Sequence, residues 1–259
     1  MSASRSQLLI IRRTANTLEV PLPAEITGPL DAANALAAAT EAIPKPGQLT
    51  DLVLTALSEG RDYHADKKIQ AALLDHVVHQ LNLPATARAR ADDTLGASIV
   101  EHADTILTGW AKALQPHADA LAAAAEHLPT HDLGDAQTIA AHGAEVMKIW
   151  GAAHEAVKKW QAATEGFGQL TMATRLSRPD PFLVLAAPDT AAFERAWTTV
   201  KSQGTRVDAW ALAQHGVPLS LPTLSGYMER VAERQARVAE AQKREAARRK
   251  EAERPRVAT

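Results

Sequence analysis

The segment DAQTIAAHGAEVMKIWGAAHEAVKKWQAATEG, residues 135–166, carries the clearest structural pattern in the chain. Seven positions recur at alternating intervals of four and three residues, which is the spacing of one helix face. They are Ile139, Gly143, Val146, Trp150, Ala153, Val157 and Trp160. Asp135 stands in front of them as an N-cap residue. The segment therefore predicts one long amphipathic helix with both tryptophans on its buried face.

Alanine extends this helical prediction to most of the chain. There are 54 alanines among 259 residues, against only three Phe and five Trp. Alanine is the best helix former, but it buries little area per residue. We therefore predict a mainly α protein. Its body would be an antiparallel, Ala-rich bundle of long helices over 62–166, with connections at 83–91 and 129–134.

Two apolar runs favour strands instead. Residues 7–22 hold two short runs separated at 14–16, which is typical of a β-hairpin. Residues 182–187, FLVLAA, lie between Pro181 and Pro188 and are typical of a buried strand. Since a single strand needs a partner, we expect the two segments to form one small sheet. The predicted organisation is a hairpin at 1–28, a helical body at 29–166, a mixed α/β segment at 167–222 and a charged helical tail at 223–259.

The tail carries the main functional prediction. Its apolar positions repeat by four and three and form what we call the tail seam: Leu224, Met228, Val231, Gln235 and Val238. Of these, Leu224, Met228, Val231 and Val238 are the candidate partner-binding residues. The seam covers about two heptads, which is short for a coiled coil that holds a dimer alone. Residues 229–256 contain ten Lys or Arg and six Glu. We expect residues 224–238 to dock and residues 239–254 to project as a solvated, basic helix.

A second interpretation of the same region is DNA binding. Residues 207–234 resemble two helices joined by a turn that contains Gly216, as in a helix-turn-helix. Thr223, Ser225, Arg230 and Arg234 would then contact bases and phosphates. The turn is about two residues longer than that motif allows and contains Pro218. The competing interpretation is a loop that positions the tail, with Gly216 as an ordinary helix C-cap.

Ten histidines raise the question of a metal site. The candidate ligands are His76 and His79 on one helix, and Glu101 and His102 on the next. A helical bundle can bind metal through such residues. Here, however, the acids are adjacent to the histidines and lie on another helix face. The pattern favours polar helix flanks over a metal site.

The remaining patterns define the function classes. There is no cysteine, no Gly-rich phosphate loop and no GxSxG motif, so nothing argues for an enzyme or a cofactor. The apolar runs are too short to cross a membrane or to form a signal-peptide core. We predict a cytoplasmic protein, virion-associated if phage-encoded, that acts in interaction or assembly. Its partner would be another protein or a second copy, and the alternative is a DNA-binding accessory protein.

Overall fold

The computed structural model describes residues 3–41, 47–130, 132–188, 190–204 and 207–252 of the chain. Every regular element in these ranges is an α-helix, so the protein is mainly α as predicted. The helices are α1 Ala3–Thr17, α2 Ala24–Glu41, α3 Gly47–Ser58, α4 Lys67–Gln80, α5 Leu83–His127, α6 Ala136–Ala141, α7 Ala144–Ala173, α8 Pro181–Leu185, α9 Ala191–Gln203, α10 Ala209–Gln214 and α11 Leu224–Ala252. Within the same ranges, no helix has both the length and the apolar character that a bilayer span requires.

The chain divides into two compact units. Unit 1 comprises Met1–Leu8 and Leu22–His102, and unit 2 comprises Leu9–Pro21 and Ala103–Thr259. The boundaries between them fall inside α1, between α1 and α2, and inside α5. Unit 1 therefore combines the start of α1 with α2, α3, α4 and the first part of α5.

Helix α7 is the centre of unit 2. It contacts α6, α8 and α10, and its inner face buries Trp160, Phe167 and Leu170. The predicted burial of Trp160 is confirmed, since only 1% of the residue is exposed. Trp150 is half-buried instead. Its indole N–H donates a hydrogen bond to the Leu133 carbonyl at 2.9 Å.

The predicted single helix over 135–166 is two helices. Asp135 caps α6 as expected, with its Oδ1 accepting from the Thr138 amide at 3.0 Å, and hydrogen bonds from Thr138 lower the pKa of Asp135. Gly143 then adopts a φ of 92°, which a helix interior does not allow. The chain therefore breaks at Gly143, and α7 restarts at Ala144.

The β-hairpin predicted within 1–28 is wrong. Residues 3–17 form α1 because the buried positions follow a helical spacing of three, four and three residues: Leu8, Ile11, Ala15 and Leu18. The polar residues Thr14 and Asn16 interrupt the apolar runs without turning the chain. Thr14 is itself buried, and its hydroxyl donates to the Ala162 carbonyl of α7 at 3.0 Å.

The strand predicted at 182–187 is also wrong, and the structure described contains no sheet for it to join. Residues 181–185 form the short helix α8, in which every residue after the exposed Pro181 is buried. Asp180 accepts from the Phe182 amide at 3.0 Å, and Pro181 occupies the first helical position. A short apolar run fits a buried helix as well as a buried strand, and the Asp-Pro start is a helix signal. The predicted mixed α/β segment is therefore helical where it is described.

Of the two connections predicted within the body, one differs in the structure. Residues 83–91 belong to α5, which continues through Pro116 to His127 without a break. Asp92 does not cap a helix but pairs with Arg5 of α1, with Oδ1 and Nε 2.8 Å apart. The connection predicted at 129–134 is confirmed over its described residues, which are non-helical.

Unit 1 has a small apolar core. Among its described residues, five large apolar side chains are buried: Leu8, Ile26, Ile69, Leu95 and Ile99. Eight are exposed: Leu36, Leu54, Leu57, Leu73, Leu74, Val77, Leu81 and Val100. Most of the exposed set lies on α3 and α4, which pack against each other. Among the described residues of this unit, more large apolar side chains are exposed than are fully buried.

Candidate interaction surface on the C-terminal helix

The N-terminus of helix α11 is hydrogen-bonded to Asp104, an acidic residue of α5. Thr223 caps α11 by accepting from the Gly226 amide at 3.0 Å. Asp104 accepts twice, from the Leu224 amide at 2.6 Å and from the Ser225 hydroxyl at 3.0 Å. A carboxylate at a helix N-terminus interacts favourably with the helix dipole. The first turn of α11 is thus bound within the chain.

Tyr227 fixes the next turn. The residue is 4% exposed, and its ring meets the ring of Phe167 edge to face, with centroids 5.4 Å apart. Its hydroxyl accepts from the Asp180 amide at 2.9 Å, at the position where α8 begins. Because both the ring and the hydroxyl are engaged, Tyr227 holds α11 against α7 and α8.

Arg230 continues the same face of α11. Its guanidinium donates to the Leu183 carbonyl at 2.9 Å, to the Ser220 carbonyl at 3.1 Å and to the Ser220 hydroxyl at 2.7 Å. The Ser220 amide in turn donates to the Leu185 carbonyl at 2.8 Å. Arg230 therefore joins the tail, the loop before it and α8 in one hydrogen-bond network.

Arg234 completes the contact. It pairs with Glu194 of α9, and its guanidinium carbon lies 4.5 Å from the ring centroid of Trp197. A planar guanidinium can donate to a carboxylate and stack on an aromatic ring at the same time. We call Tyr227, Arg230 and Arg234 the docked face of α11.

We expect Arg234→Ala to lower the free energy of unfolding by about 1–3 kcal/mol, because a partly buried ion pair and a stacking contact are lost together. Arg237→Ala is the matched control. Arg237 pairs with Glu233 one turn away and is more exposed, so its loss should cost only about 0.2–0.5 kcal/mol. Chemical denaturation followed by circular dichroism measures both. Equal losses would show that Arg234 contributes no more than a surface pair.

The tail seam lies beside the docked face. Leu224 and Val231 are half-buried, whereas 47% of Met228 and 39% of Val238 are exposed. The seam predicted from the sequence is therefore not the surface that attaches α11 to the body. The tyrosine and two arginines at intervals of three and four residues perform that role. Sequence reasoning assigned the arginines to DNA and did not consider Tyr227, although an aromatic at helical spacing from them was visible.

Beyond Val238 the helix leaves the body. Residues 239–248 are all exposed, and Glu240 pairs with Arg244 four residues later. Glu245 and Arg249 have the same four-residue spacing, but the side chain of Arg249 lies outside the described residues. This part of α11 is thus a solvated helix, supported where it is described by pairs of about 0.2–0.5 kcal/mol each.

The candidate nucleic-acid contacts are engaged within the chain. Thr223 and Ser225 bind α11 and Asp104, while Arg230 and Arg234 bind Ser220 and Glu194. Gly216 ends α10 with a φ of 67°, as an ordinary C-terminal glycine does. The loop that follows buries Val217, Leu219 and Leu221. This loop therefore has its own core contacts.

The metal candidates do not converge in the part of the chain that the structure describes. There, no three His, Asp or Glu side chains are grouped as metal ligands. His102 Nδ1 lies 3.0 Å from the Ser98 carbonyl one turn earlier, and His76 Nε2 lies 2.9 Å from the Gln80 amide. The side chain of His79 is outside the described set, and Glu101 is exposed.

Two open clefts lie in unit 2. One, of about 500 Å³, separates the Ala118, Asp119 and Ala122 side of α5 from the loop at 213–219. The other, of about 460 Å³, is lined by Trp160 and Glu165 of α7 and by Asp208. Neither holds a nucleophile and base within hydrogen-bond distance.

No family model, curated protein or solved structure matches this chain.

Proposed function

We propose that this chain is a non-enzymatic interaction or assembly protein that binds a partner protein, or a further copy of itself, through α11. The supporting observation is that two neighbouring sides of this helix differ in their contacts. The docked face holds α11 to the body, while Met228 and Val238 of the tail seam stay exposed to solvent. A helix held on one side with apolar side chains on the next is suited to packing against another helix.

The finer features predicted from the sequence belong to the same proposal. They are an antiparallel bundle as the body, a coiled-coil mode of contact along the tail seam, and a cytoplasmic or virion-associated location. In this arrangement the exposed basic segment at 239–248 would add charge attraction to the apolar contact. Such attraction weakens as salt is added.

The test is the double variant Met228→Gln/Val238→Gln. It removes the exposed apolar groups of the seam and leaves the docked face intact, so the fold should be retained. With the full chain as bait, we expect a bound protein to be captured and the double variant to lose it. The control is Glu229→Gln/Ala236→Gln, which changes two exposed positions that lie about a quarter of a turn or more away from the seam residues. Equal capture by all three proteins would remove the support for this proposal.

Deletion of 239–259 is a second arm of the same experiment. Residues 239–248 are all exposed, so loss of this segment should leave the melting temperature unchanged. Deletion of the whole tail from 223 would be less informative, because it also removes Tyr227, Arg230 and Arg234. A lower melting temperature after the shorter deletion would contradict the assignment of 239–248 as a solvated helix.

The alternative is a DNA-binding accessory protein that uses 207–234. The position of Asp104 argues against DNA binding, because its carboxylate occupies the N-terminus of α11, where a phosphate would bind. A gel shift on mixed-sequence duplex that disappears with added salt would favour this alternative over the protein–protein proposal.

A further inference from the structure

We infer that the chain forms a symmetric dimer through α3 and α4, a surface separate from the tail. Five large apolar side chains on these two helices and that of Leu81, the residue directly after α4, are exposed, and we call them the α3–α4 patch: Leu54, Leu57, Leu73, Leu74, Val77 and Leu81. Their exposed fractions lie between 41% and 68%. Single exposed leucines are ordinary on a protein surface, but six on or directly after one pair of packed helices are not.

The patch follows helix geometry. Leu73, Val77 and Leu81 are spaced four residues apart along one side of α4, and Leu74 lies next to them. Ile69, which begins the same four-residue series, is buried. On α3, Leu54 and Leu57 lie three residues apart, while Ala56 is the position that is buried. Each helix thus uses one side within the chain and keeps a second apolar side in water.

The buried core of unit 1 does not include this second apolar side of α3 and α4. The unit's buried set of large apolar side chains is smaller than its exposed set, as described above. Apolar area contributes stability in proportion to the area removed from water. A second surface against the patch would therefore add to a core that is thin in the single chain.

The area fits a second copy of this chain. The exposed parts of the six side chains amount to roughly 600 Å² per chain, against about 800 Å² per partner in a standard interface. Flanking residues would supply the remainder. Two helical hairpins that each present an apolar side combine into a four-helix bundle, and a two-fold axis pairs the same patch with itself.

Charge also permits self-association. Residues 47–82 contain five Asp or Glu and three Lys or Arg, so the local net charge is only −2. None of the six patch residues is charged, and both signs occur around them. A surface built for a strongly charged partner would carry one dominant sign, whereas this surface does not repel its own copy.

The experiment is light scattering on the full chain over a range of concentrations. We expect a mass of twice 27.7 kDa. Leu73→Gln/Val77→Gln should raise the dimer dissociation constant by about 100-fold or more, because four side chains leave a symmetric interface. The control Lys68→Gln/Ala71→Gln changes exposed positions of α4 outside the patch and should keep the dimer. Circular dichroism verifies that every variant is folded.

A second variant, Leu54→Gln/Leu57→Gln, tests the same interface from α3 and applies if the α4 variant fails to fold. A full chain that is monomeric at every concentration overturns the inference, as does a dimer that both patch variants retain. The tail variant Met228→Gln/Val238→Gln should keep the dimer mass. Loss of partner capture and loss of the dimer are therefore separate results, and the proposed tail function can fail while this inference stands.

Discussion

Trp160→Ala is expected to lower the free energy of unfolding by about 3–5 kcal/mol, the usual range for truncating a large core aromatic. Trp160 is 1% exposed in the centre of α7. Its indole N–H is buried without a hydrogen-bond partner, so the loss is one of packing and buried area. Thermal and chemical denaturation followed by circular dichroism measures it without depending on tryptophan fluorescence.

Two companion variants separate the contributions at this position. Trp160→Phe keeps an aromatic ring and removes the unpartnered N–H, so it should cost less than half as much as Trp160→Ala. Trp150→Ala removes a half-buried ring and its hydrogen bond to Leu133, and should cost about 1–2 kcal/mol. An equal loss of unfolding free energy in Trp150→Ala and Trp160→Ala would contradict the difference in burial between the two rings.

Gly166→Ala is the second large expected effect. A Cβ atom at this position would lie 2.6 Å from Cη2 and Cζ3 of Trp110 and 2.8 Å from the Thr14 hydroxyl. Trp110 is fully buried, and Thr14 is bonded to the Ala162 carbonyl, so neither can move freely. We expect a loss of about 1–3 kcal/mol from overpacking, in spite of the better helix propensity of alanine.

Gly151→Ala is the control on the same helix. No neighbouring atom lies within 4 Å of a Cβ built there, so only the propensity gain of about 0.5–1 kcal/mol should remain. The two substitutions are chemically identical and should change stability in opposite directions. A gain at both positions would show that α1, α5 and α7 do not approach each other closely at Gly166.

The sequence predicted the helical character of the protein because alanine content and the pattern over 135–166 both indicate helix. It also predicted the N-cap at Asp135 and offered Gly216 as a helix C-cap, where local residues decide the geometry. These features depend on neighbours along the chain. They require no knowledge of which helices pack together.

The errors have a different origin. Leu8, Ile11, Ala15 and Leu18 follow a helical spacing, but the shorter apolar runs within the segment suggested two strands. FLVLAA is buried as predicted, yet burial alone does not distinguish a short helix from a strand. The surface of α11 shows the same limit. The tail seam was visible in the sequence, whereas the docked face depends on Phe167, Asp180 and Glu194, which are distant along the chain.

Hydrogen exchange should follow the way α11 is attached. Amides near Tyr227 and Arg230 can exchange only when the helix leaves α8, which makes them slow. Amides at 239–248 belong to an exposed stretch of helix and need only a local opening, so they should exchange early and independently. A ligand that binds residues 239–248 would reduce this local opening of the helix. Slower exchange there would therefore report binding before any change in melting temperature, and trypsin should cut at Lys243 or Arg244 before it reaches the body.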